Sequence, residues 1–235
     1  MREPPFWWRQ GGFAAATLAP FAAVYGATAA WRLARKGSKA GVPVVCIGNP
    51  TVGGAGKTPA ALAVARMLKA DGETPVFLSR GYGGRLTGPV QVDPAQHAAS
   101  DVGDEPLLLA RAAPTIVARD RVAGAQAAVA AGAGVIVMDD GFQNPSLAKD
   151  FSVLVVDAKR GIGNGRCIPA GPLRAPLGVQ LDRAQALIMV GQGDAANITG
   201  DARKRALPVF SARLAPDPAF IASVAGRRVS AFAGI

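Results

Sequence analysis

The sequence predicts an α/β fold, in which a mostly parallel sheet is flanked by helices. From residue 41 onward, short apolar runs alternate with Ala-rich stretches of helical composition, and the runs are apolar on both faces. Alternating strands and helices are typical of a parallel sheet, and such apolar strands are typical of a sheet covered on both sides. Half of the 235 residues are hydrophobic and 18% are charged, which excludes a disordered chain.

Seven short strands and three helices are predicted between residues 41 and 212. The strands are 42–47, 75–78, 115–118, 135–138, 152–156, 186–190 and 209–212. The helices are 58–69, 105–112 and 120–131, each long enough for a right-handed crossover between two strands. Two long loops, 80–101 and 158–180, begin at the carboxyl ends of predicted strands, which is the edge where α/β sheets bind ligands. We therefore expect the functional residues at this edge.

A glycine-rich segment between the first strand and the first helix has the form of a phosphate-binding loop. It reads Gly53-Gly54-Ala55-Gly56-Lys57-Thr58, and Thr51 replaces the first glycine of a full Walker A motif, so the match is to a variant form. The glycines let backbone N–H groups face phosphate oxygens, Lys57 can reach the β and γ phosphates, and the Thr58 hydroxyl can bind Mg²⁺. The segment predicts a P-loop NTPase-type fold that binds a nucleotide and Mg²⁺. The predicted nucleotide-binding residues are Thr51, Val52, Gly53, Gly54, Ala55, Gly56, Lys57 and Thr58.

Two acidic pairs accompany this loop. Asp139-Asp140 follows an apolar run in the manner of a Walker B element, so Asp139 or Asp140 would hold the metal directly or through water. Asp104-Glu105 lies just before a predicted helix, where carboxylates interact favourably with the helix dipole. For this second pair, the residues alone leave helix capping and catalysis open.

The chain is strongly basic, with a formal net charge of +10. Arginine supplies 19 of the 26 cationic residues, which favours bidentate recognition of phosphate but is also the composition of an Ala-, Gly- and Arg-rich genome. Nucleic acid, anionic lipid and a phosphorylated small substrate are all compatible with this charge. Arg80, Arg119 and Arg121 each follow a predicted strand, so they are candidates for binding phosphate, the alternative being a solvated or ion-paired arginine.

Residues 1–40 are predicted to form a membrane-associated helix and a basic linker. No charged residue occurs from 11 to 31, cationic residues lie on both sides, and Trp7, Trp8 and Trp31 flank the stretch. Because the stretch is rich in Ala, Gly and Thr and contains Pro20, its transfer into a bilayer core is only weakly favourable. We expect a helix that lies in the membrane surface, with a true span and a helix packed on the protein's own body as alternatives.

The rest of the chain is predicted to divide at residue 227. Residues 41–227 form the P-loop domain, and 228–235 has the pattern of one more strand, which we expect to begin a C-terminal portion continuing past residue 235. Cys46 and Cys167 lack a C-x-x-C spacing and a nearby histidine, so incidental or buried thiols are expected instead of a zinc site or a disulfide.

Several motifs in a fixed order carry a family resemblance. Ser-Arg-Gly-Tyr-Gly-Gly at 79–84 and Asp-Asp-Gly-Phe-Gln at 139–143 are the most specific, and the others are Gly48-Asn49 with the phosphate loop, 103–105, 119–121, 163–165 and 169–174. Together they resemble the tetraacyldisaccharide 4'-kinases, the lipid A 4'-kinases of Gram-negative bacteria, from the N-terminal apolar segment to the last residue. Asn144 departs from the pattern, since the family often has histidine there.

The resemblance implies that 41–227 is a kinase domain. Its reaction would be transfer of the ATP γ-phosphoryl group to the 4'-hydroxyl of a tetraacylated glucosamine disaccharide 1-phosphate, forming lipid IVA at the cytoplasmic face of the inner membrane. The expected partners are this lipid substrate and the anionic membrane surface, with no nucleic acid and no obligate protein partner.

The resemblance also implies roles for individual residues. Asp104 would be the base that activates the sugar hydroxyl, and Lys57 and Thr58 would serve ATP and Mg²⁺. Glu105 and Asp139 would lie around the metal. The candidates for substrate contact are Arg80, Arg119, Asp140 and Arg174.

A membrane-associated ATPase switch that controls a protein partner is the alternative function. Such a switch uses the same variant phosphate loop, but it would need a dimer and a signature lysine shortly before the Gly-Gly pair, where Val52 stands. A nucleic-acid-binding ATPase is disfavoured further, because no basic stripe interleaved with aromatic residues occurs outside the N-terminal segment.

Overall fold

One eight-stranded sheet organises the chain, as described for residues 3–230 by a computed structural model. The strands are β1 (Val44–Gly48), β2 (Pro75–Ser79), β3 (Val90–Gln91), β4 (Thr115–Val117), β5 (Val135–Asp139), β6 (Phe151–Asp157), β7 (Ala186–Val190) and β8 (Val209–Ala212). Their order is β3-β4-β2-β5-β1-β6-β7-β8, and every neighbouring pair is parallel except β3 with β4. Strand β1 therefore separates β2 to β5 on one side of the sheet from β6 to β8 on the other. Open α/β sheets bind ligands at such switch points in the strand order.

Helices precede, connect and follow the strands. They are a 3₁₀ turn (Pro5–Trp8), α1 (Phe13–Thr17), α2 (Ala19–Ala34), α3 (Lys57–Ala70), α4 (Ala99–Val102), α5 (Asp104–Ala110), α6 (Arg121–Ala130), α7 (Leu177–Leu181), α8 (Ala196–Lys204) and α9 (Pro218–Val224). The seven predicted strands and three predicted helices are confirmed, with ends that differ by no more than two residues. The sequence did not predict β3, α4 or α7, because elements of two to five residues are too short to show a hydrophobic period.

Alternate strand side chains fill two cores, one on each face of the sheet. One core contains Cys46, Met138 and Leu154, and the other contains their chain neighbours Ile47, Val137 and Val153. Helix α3 covers the second core through Ala61 and Ala65, whereas Ala125 and Ala128 of α6 and Leu33 of α2 belong to the first. This double cover explains why the strands are apolar on both faces.

Helix α2 packs on the body of the protein through small residues. Ala22 and Gly26 are buried, and a Cβ at Gly26 would lie 3.2 Å from the Sγ atom of Cys167. The side chains of Phe21, Val24 and Trp31 are exposed on the same helix. One side of α2 therefore contacts the protein, and large apolar residues face away from it.

The two N-terminal tryptophans contact the second long loop. Trp7 Nε1 donates to the carbonyl of Pro169 at 2.9 Å, and the guanidinium of Arg160 lies 4.8 Å from the centre of the Trp8 ring. Within residues 3–230, no helix is both long and apolar enough to cross a membrane. The domain divisions at residues 40 and 227 stay predictions. Residues 228–230 are irregular, and the remainder of the predicted terminal strand lies outside the described residues.

Candidate active site

The glycine-rich loop connects β1 to α3 at the carboxyl edge of the sheet. Gly53 and Gly56 have φ angles of +94° and +85°, which side-chain-bearing residues rarely adopt, and Gly56 is the N-cap of α3. Lys57 begins the helix and is only 9% exposed. Its Nζ atom donates to the Gly53 carbonyl at 3.3 Å and lies 3.8 Å from Oδ2 of Asp140. The predicted loop therefore holds a buried ammonium group beside a helix N-terminus, the usual setting for bound phosphate.

Asp139, at the end of β5, is bonded to the first turn of α3. The Thr58 hydroxyl donates to its Oδ2 atom at 3.1 Å, and its Oδ1 atom is buried with no hydrogen-bond partner among residues 3–230. Burial raises the pKa of Asp139 to about 7, and the negative charges of Glu105 and Asp140 act in the same direction. A buried carboxylate with an unpaired oxygen is costly unless a proton or a cation joins it.

This burial predicts a pH dependence of stability that Asp139→Asn should remove. Folded Asp139 binds its proton more tightly than in the unfolded chain, where the pKa is near 3.8, so the folded state holds more protons between these values. The free energy of unfolding contributed by this group therefore falls as pH rises from about 4 to about 7, by at most about 4 kcal/mol.

Urea unfolding across this pH range in metal-free buffer measures the effect. The substituted asparagine would keep an oxygen for the Thr58 hydroxyl but would not titrate, so the variant should lose the contribution of Asp139 and keep only that of other carboxyls with a raised pKa, such as Glu105. The exposed Asp71, just after α3, provides the control, because Asp71→Asn should leave the fall intact. An equal pH dependence in Asp139→Asn and the native chain would contradict this account.

Asp140 directly follows β5, and an arginine holds it in place. Arg174 Nη1 donates to Asp140 Oδ1 at 2.8 Å, and Nη2 donates to Oδ2 at 3.4 Å. Arg174 Nε also donates to the Thr51 carbonyl at 2.9 Å. The predicted substrate residue Arg174 thus joins Asp140 to the entrance of the phosphate loop. Backbone pairing between Val52 N and the Pro172 carbonyl, at 2.9 Å, reinforces the same junction.

The acidic pair Asp104-Glu105 forms the first turn of α5. Gly103 is the N-cap. Among residues 3–230, the Asp104 carboxylate accepts only from the adjacent Glu105 N–H, at 3.0 Å, instead of from the next turn. Asp104 therefore does not make the hydrogen bond of an N-cap. Its side chain is exposed. Desolvation raises the pKa of Glu105, Lys57 opposes the shift, and Asp140 and Asp104 add to it. The charge of Lys57 in the phosphate loop therefore acts on Glu105 at the start of α5.

The loop that follows β2 packs directly on this turn. A Cβ at Gly103 would lie 2.5 Å from the Tyr82 carbonyl oxygen, and a Cβ at Gly84 would lie 2.6 Å from that of Asp101. Only glycine permits so close an approach of two backbones. The predicted Ser-Arg-Gly-Tyr-Gly-Gly motif therefore forms the surface against which α4 and α5 pack.

The three arginines predicted at this edge differ in accessibility. Arg80 and Arg119 are exposed, after β2 and β4, respectively. Arg121 is only 2% exposed, its Nη1 atom donates to the Ala118 carbonyl at 2.6 Å, and its Nε atom has no partner among residues 3–230. Burial lowers the pKa of Arg121 to about 10, and the charge of Arg80 acts in the same direction. Arg80 and Arg119 can reach a ligand, whereas Arg121 lies beneath the edge.

Three buried or half-buried amides support the phosphate loop, and sequence reasoning did not assign them a role. Asn49 Nδ2 donates to the Gly53 carbonyl at 3.1 Å, and Gln143 Nε2 donates to the Asn49 carbonyl at 2.9 Å and to Gln180 Oε1 at 3.1 Å. Gln180 in turn donates to the Pro50 carbonyl at 3.2 Å. Asn49 and Gln143 stand within quoted motifs, but Gln180 lies in an ordinary apolar helix and carries no sequence signal.

A cleft of about 340 Å³ lies between α2 and the phosphate loop. Helix α2 contributes Tyr25, Thr28, Ala29 and Arg32, and the other lining residues are Val52, Gln143, Ile168 and Arg174. Burial raises the pKa of Tyr25, and the cations Arg174 and Arg32 oppose the shift. The cleft combines an apolar helix face with two arginines, so it suits an amphiphilic anion.

The site consists of a strand, a glycine loop and a helix that begins with a buried lysine, and an aspartate ends a neighbouring strand. This arrangement defines the class of P-loop nucleotide-binding proteins. The family model for tetraacyldisaccharide-1-P 4'-kinase matches residues 14–235. The tetraacyldisaccharide 4'-kinase of Methylobacterium sp. (strain 4-46) is 61% identical over 239 residues, covering 100% of this chain and 71% of that protein. That of Nitrobacter winogradskyi is 59% identical over 236 residues, covering 100% and 70%.

The chain belongs to the tetraacyldisaccharide-1-P 4'-kinase family. A crystal structure of LpxK from Aquifex aeolicus in complex with ATP has the same fold, with a TM-score of 0.66 and 24% sequence identity. The match covers 87% of this chain and 85% of that one. The family and the mostly parallel sheet predicted from the sequence are both confirmed.

Proposed function

We propose that the chain transfers the γ-phosphoryl group of ATP to the 4'-hydroxyl of a tetraacylated glucosamine disaccharide 1-phosphate. One observation carries the proposal beyond family membership: the cleft lined by α2 opens beside Val52 of the phosphate loop. An acceptor held there would have its acyl chains along α2 and its sugar near the nucleotide phosphates. Such positioning is the main requirement of phosphoryl transfer.

The phosphate loop would bind the nucleotide. Its backbone N–H groups and the N-terminus of α3 would face the phosphates, and Lys57, now bonded to the Gly53 carbonyl, would turn to the β and γ oxygens. The lysine is held close to this position, since its Nζ atom donates to the Gly53 carbonyl and only 10% of its side chain is exposed. Thr51, Val52, Gly54, Ala55 and Gly56 complete the proposed nucleotide site.

The residues around Asp139 suit Mg²⁺. No group of three or more His, Cys, Asp or Glu residues within 3–230 could hold a metal. Mg²⁺, however, needs only one or two protein carboxylates and completes its shell with water and phosphate oxygens. Asp139, with its unpaired Oδ1 atom, and the Thr58 hydroxyl would be nearest to it, with Glu105 close by. When bound, Mg²⁺ neutralises negative charge on the phosphates.

Asp104 would accept the proton of the sugar hydroxyl. Its carboxylate is exposed at the start of α5 and does not make the bond of a helix cap, so it is available to a substrate. Arg80 and Arg119 stand exposed at the same edge and would contact the transferred group or the substrate phosphate. Arg174, which also lines the cleft, would keep Asp140 and the loop entrance aligned.

The substrate also accounts for the exposed apolar side of α2. A tetraacylated acceptor stays in the bilayer, so the enzyme would bind peripherally at the cytoplasmic face of the inner membrane. Phe21, Val24 and Trp31 of α2 are exposed and would contact the lipid, while the buried small residues hold the helix on the protein. No protein partner is required by this arrangement.

A product assay tests the function. The protein is incubated with ATP, Mg²⁺ and detergent-dispersed disaccharide 1-phosphate, and mass spectrometry is used to look for the bisphosphorylated lipid. A matched acceptor without the 4'-hydroxyl should give no product. Failure to phosphorylate the native acceptor, together with ATP hydrolysis stimulated by a protein partner, would contradict the kinase proposal and favour the ATPase switch.

A further inference from the structure

A second cavity, of about 390 Å³, lies at the far end of α2 and shares no residue with the phosphate loop. It is bounded by the end of α2, the linker to β1 and the segment between β5 and β6, together with Ser152 of β6 and Arg183 after α7. Five cationic residues line it, namely Arg35, Lys36, Lys39, Lys149 and Arg183. None of the residues lining it is Asp or Glu. Its volume falls in the usual range of small-molecule sites.

The walls of this cavity are joined by backbone contacts. Ser38 N donates to the Ser146 carbonyl at 2.8 Å, and Ala148 N donates to the Ser38 carbonyl at 2.9 Å. At the adjacent Gly37, a Cβ would lie 2.5 Å from Ala148 N, so the two segments touch at the backbone. The cavity is therefore a fixed part of the fold and not a gap between mobile side chains.

The positive charge in this cavity is not neutralised by the protein. Among residues 3–230, no carboxylate lies within ion-pair distance of the five cations. The two that are half-buried hydrogen-bond to carbonyl oxygens instead: Arg183 Nε donates to Leu33 at 2.8 Å, and Lys149 Nζ donates to Asn144. Burial lowers the pKa of Lys149, and the charges of Arg121 and Arg183 lower it further. Cations that line one cavity without a counter-ion repel one another, and a bound anion would reduce this cost.

We propose that this cavity binds a phosphate-bearing anion, as a site separate from the nucleotide and acceptor sites. Two sources can supply the phosphate: the headgroup of an anionic lipid or a free phosphate compound. The position of the cavity suits the lipid source, because the cavity begins where α2 ends, next to the exposed Trp31, whose ring Arg35 covers at 5.0 Å. The proposal does not depend on the kinase activity, since none of the catalytic candidates lines the cavity.

Binding measurements on the full chain test this site. Vesicles of phosphatidylcholine with about one third phosphatidylglycerol probe the lipid source, and calorimetry with inorganic phosphate and glycerol phosphate probes the free source. Lys149→Gln with Arg183→Gln should weaken binding of at least one probe about tenfold or more relative to the native chain. The control with the same change in charge is Arg66→Gln with Lys69→Gln, exposed on α3 over the opposite face of the sheet, and it should bind like the native chain.

A second variant avoids the half-buried positions. Lys36→Gln with Lys39→Gln changes only exposed side chains and should also weaken binding, by severalfold, even if the first variant does not fold. Loss confined to the phosphatidylglycerol vesicles assigns a lipid headgroup, and loss of inorganic phosphate binding assigns a free anion. Equal binding of all probes by the native chain, the cavity variants and the α3 control would overturn the proposal, as would equal weakening by the control.

Discussion

Lys57→Met is expected to lower kcat/KM for phosphoryl transfer about 10³-fold, the range found when one preorganised charge at a transferred group is removed. Lys57 is buried at the start of α3, and its Nζ atom lies 3.3 Å from the Gly53 carbonyl and 3.8 Å from Asp140. Methionine approximates the unbranched stem of lysine but removes the ammonium group, with its hydrogen bond to Gly53 and its ion pair with Asp140. Steady-state kinetics on the lipid acceptor at saturating Mg²⁺ measure the effect.

The same helix supplies the control for Lys57. Lys69 is an exposed lysine in its last turn, so Lys69→Met should retain the native rate within about twofold. Circular dichroism would establish that both variants fold. If Lys57→Met kept more than about a tenth of the native kcat/KM, the lysine would not be the charge that stabilises the transferred phosphoryl group.

Asp104→Asn is expected to lower kcat about 10² to 10⁴-fold, while the affinity for ATP changes by no more than about twofold. Asparagine has nearly the same shape and can still accept from the Glu105 N–H, but it cannot take a proton from the acceptor hydroxyl. Because Asp104 is exposed and not an N-cap, the fold should tolerate the change. Turnover with the lipid acceptor and equilibrium ATP binding give the two readouts.

An aspartate that does cap a helix provides the comparison for Asp104. Asp217 accepts from Ala219 N–H at 2.9 Å at the start of α9, so Asp217→Asn should leave both kcat and ATP affinity unchanged. Parallel loss of turnover and ATP binding in Asp104→Asn would instead indicate a metal-binding or structural role, and unchanged turnover would remove Asp104 as the base.

The sheet was predictable because its strands are strongly apolar and regularly spaced. Runs such as Val135–Asp139 are covered on both faces, so burial and sequence pattern agree. The two-residue strand β3 was not predictable, because it exists only through pairing with β4, where Val90 lies opposite Val117. Helix α8 was not predicted because Asn197, Thr199 and Gly200 have low helix propensity. Burial of Ile198 and Ala202 stabilises the helix in spite of these residues.

At the candidate site, the phosphate loop and the acidic pairs were predictable, but their supports were not. Glycine spacing and a strand-end aspartate are local signals, whereas the bond from Arg174 to Asp140 joins residues 34 positions apart. Arg121 was predicted as a candidate for binding phosphate, but its side chain is buried. A position after a strand does not reveal whether the side chain faces solvent or the interior. The cationic cavity was not predictable from the sequence, because its five lining cations come from three separate segments of the chain.

Gln143 gives the two proposed substrate sites a shared component. It lines the cleft beside α2 and also donates to Asn49, whose own amide holds the Gly53 carbonyl of the phosphate loop. By thermodynamic linkage, any shift of Gln143 caused by an acceptor changes the affinity for nucleotide by the same factor by which nucleotide changes the affinity for the acceptor. The coupling between the two substrates would then pass through this chain of amides, and in Gln143→Leu, which breaks the chain, we expect the affinity for nucleotide to become independent of bound acceptor.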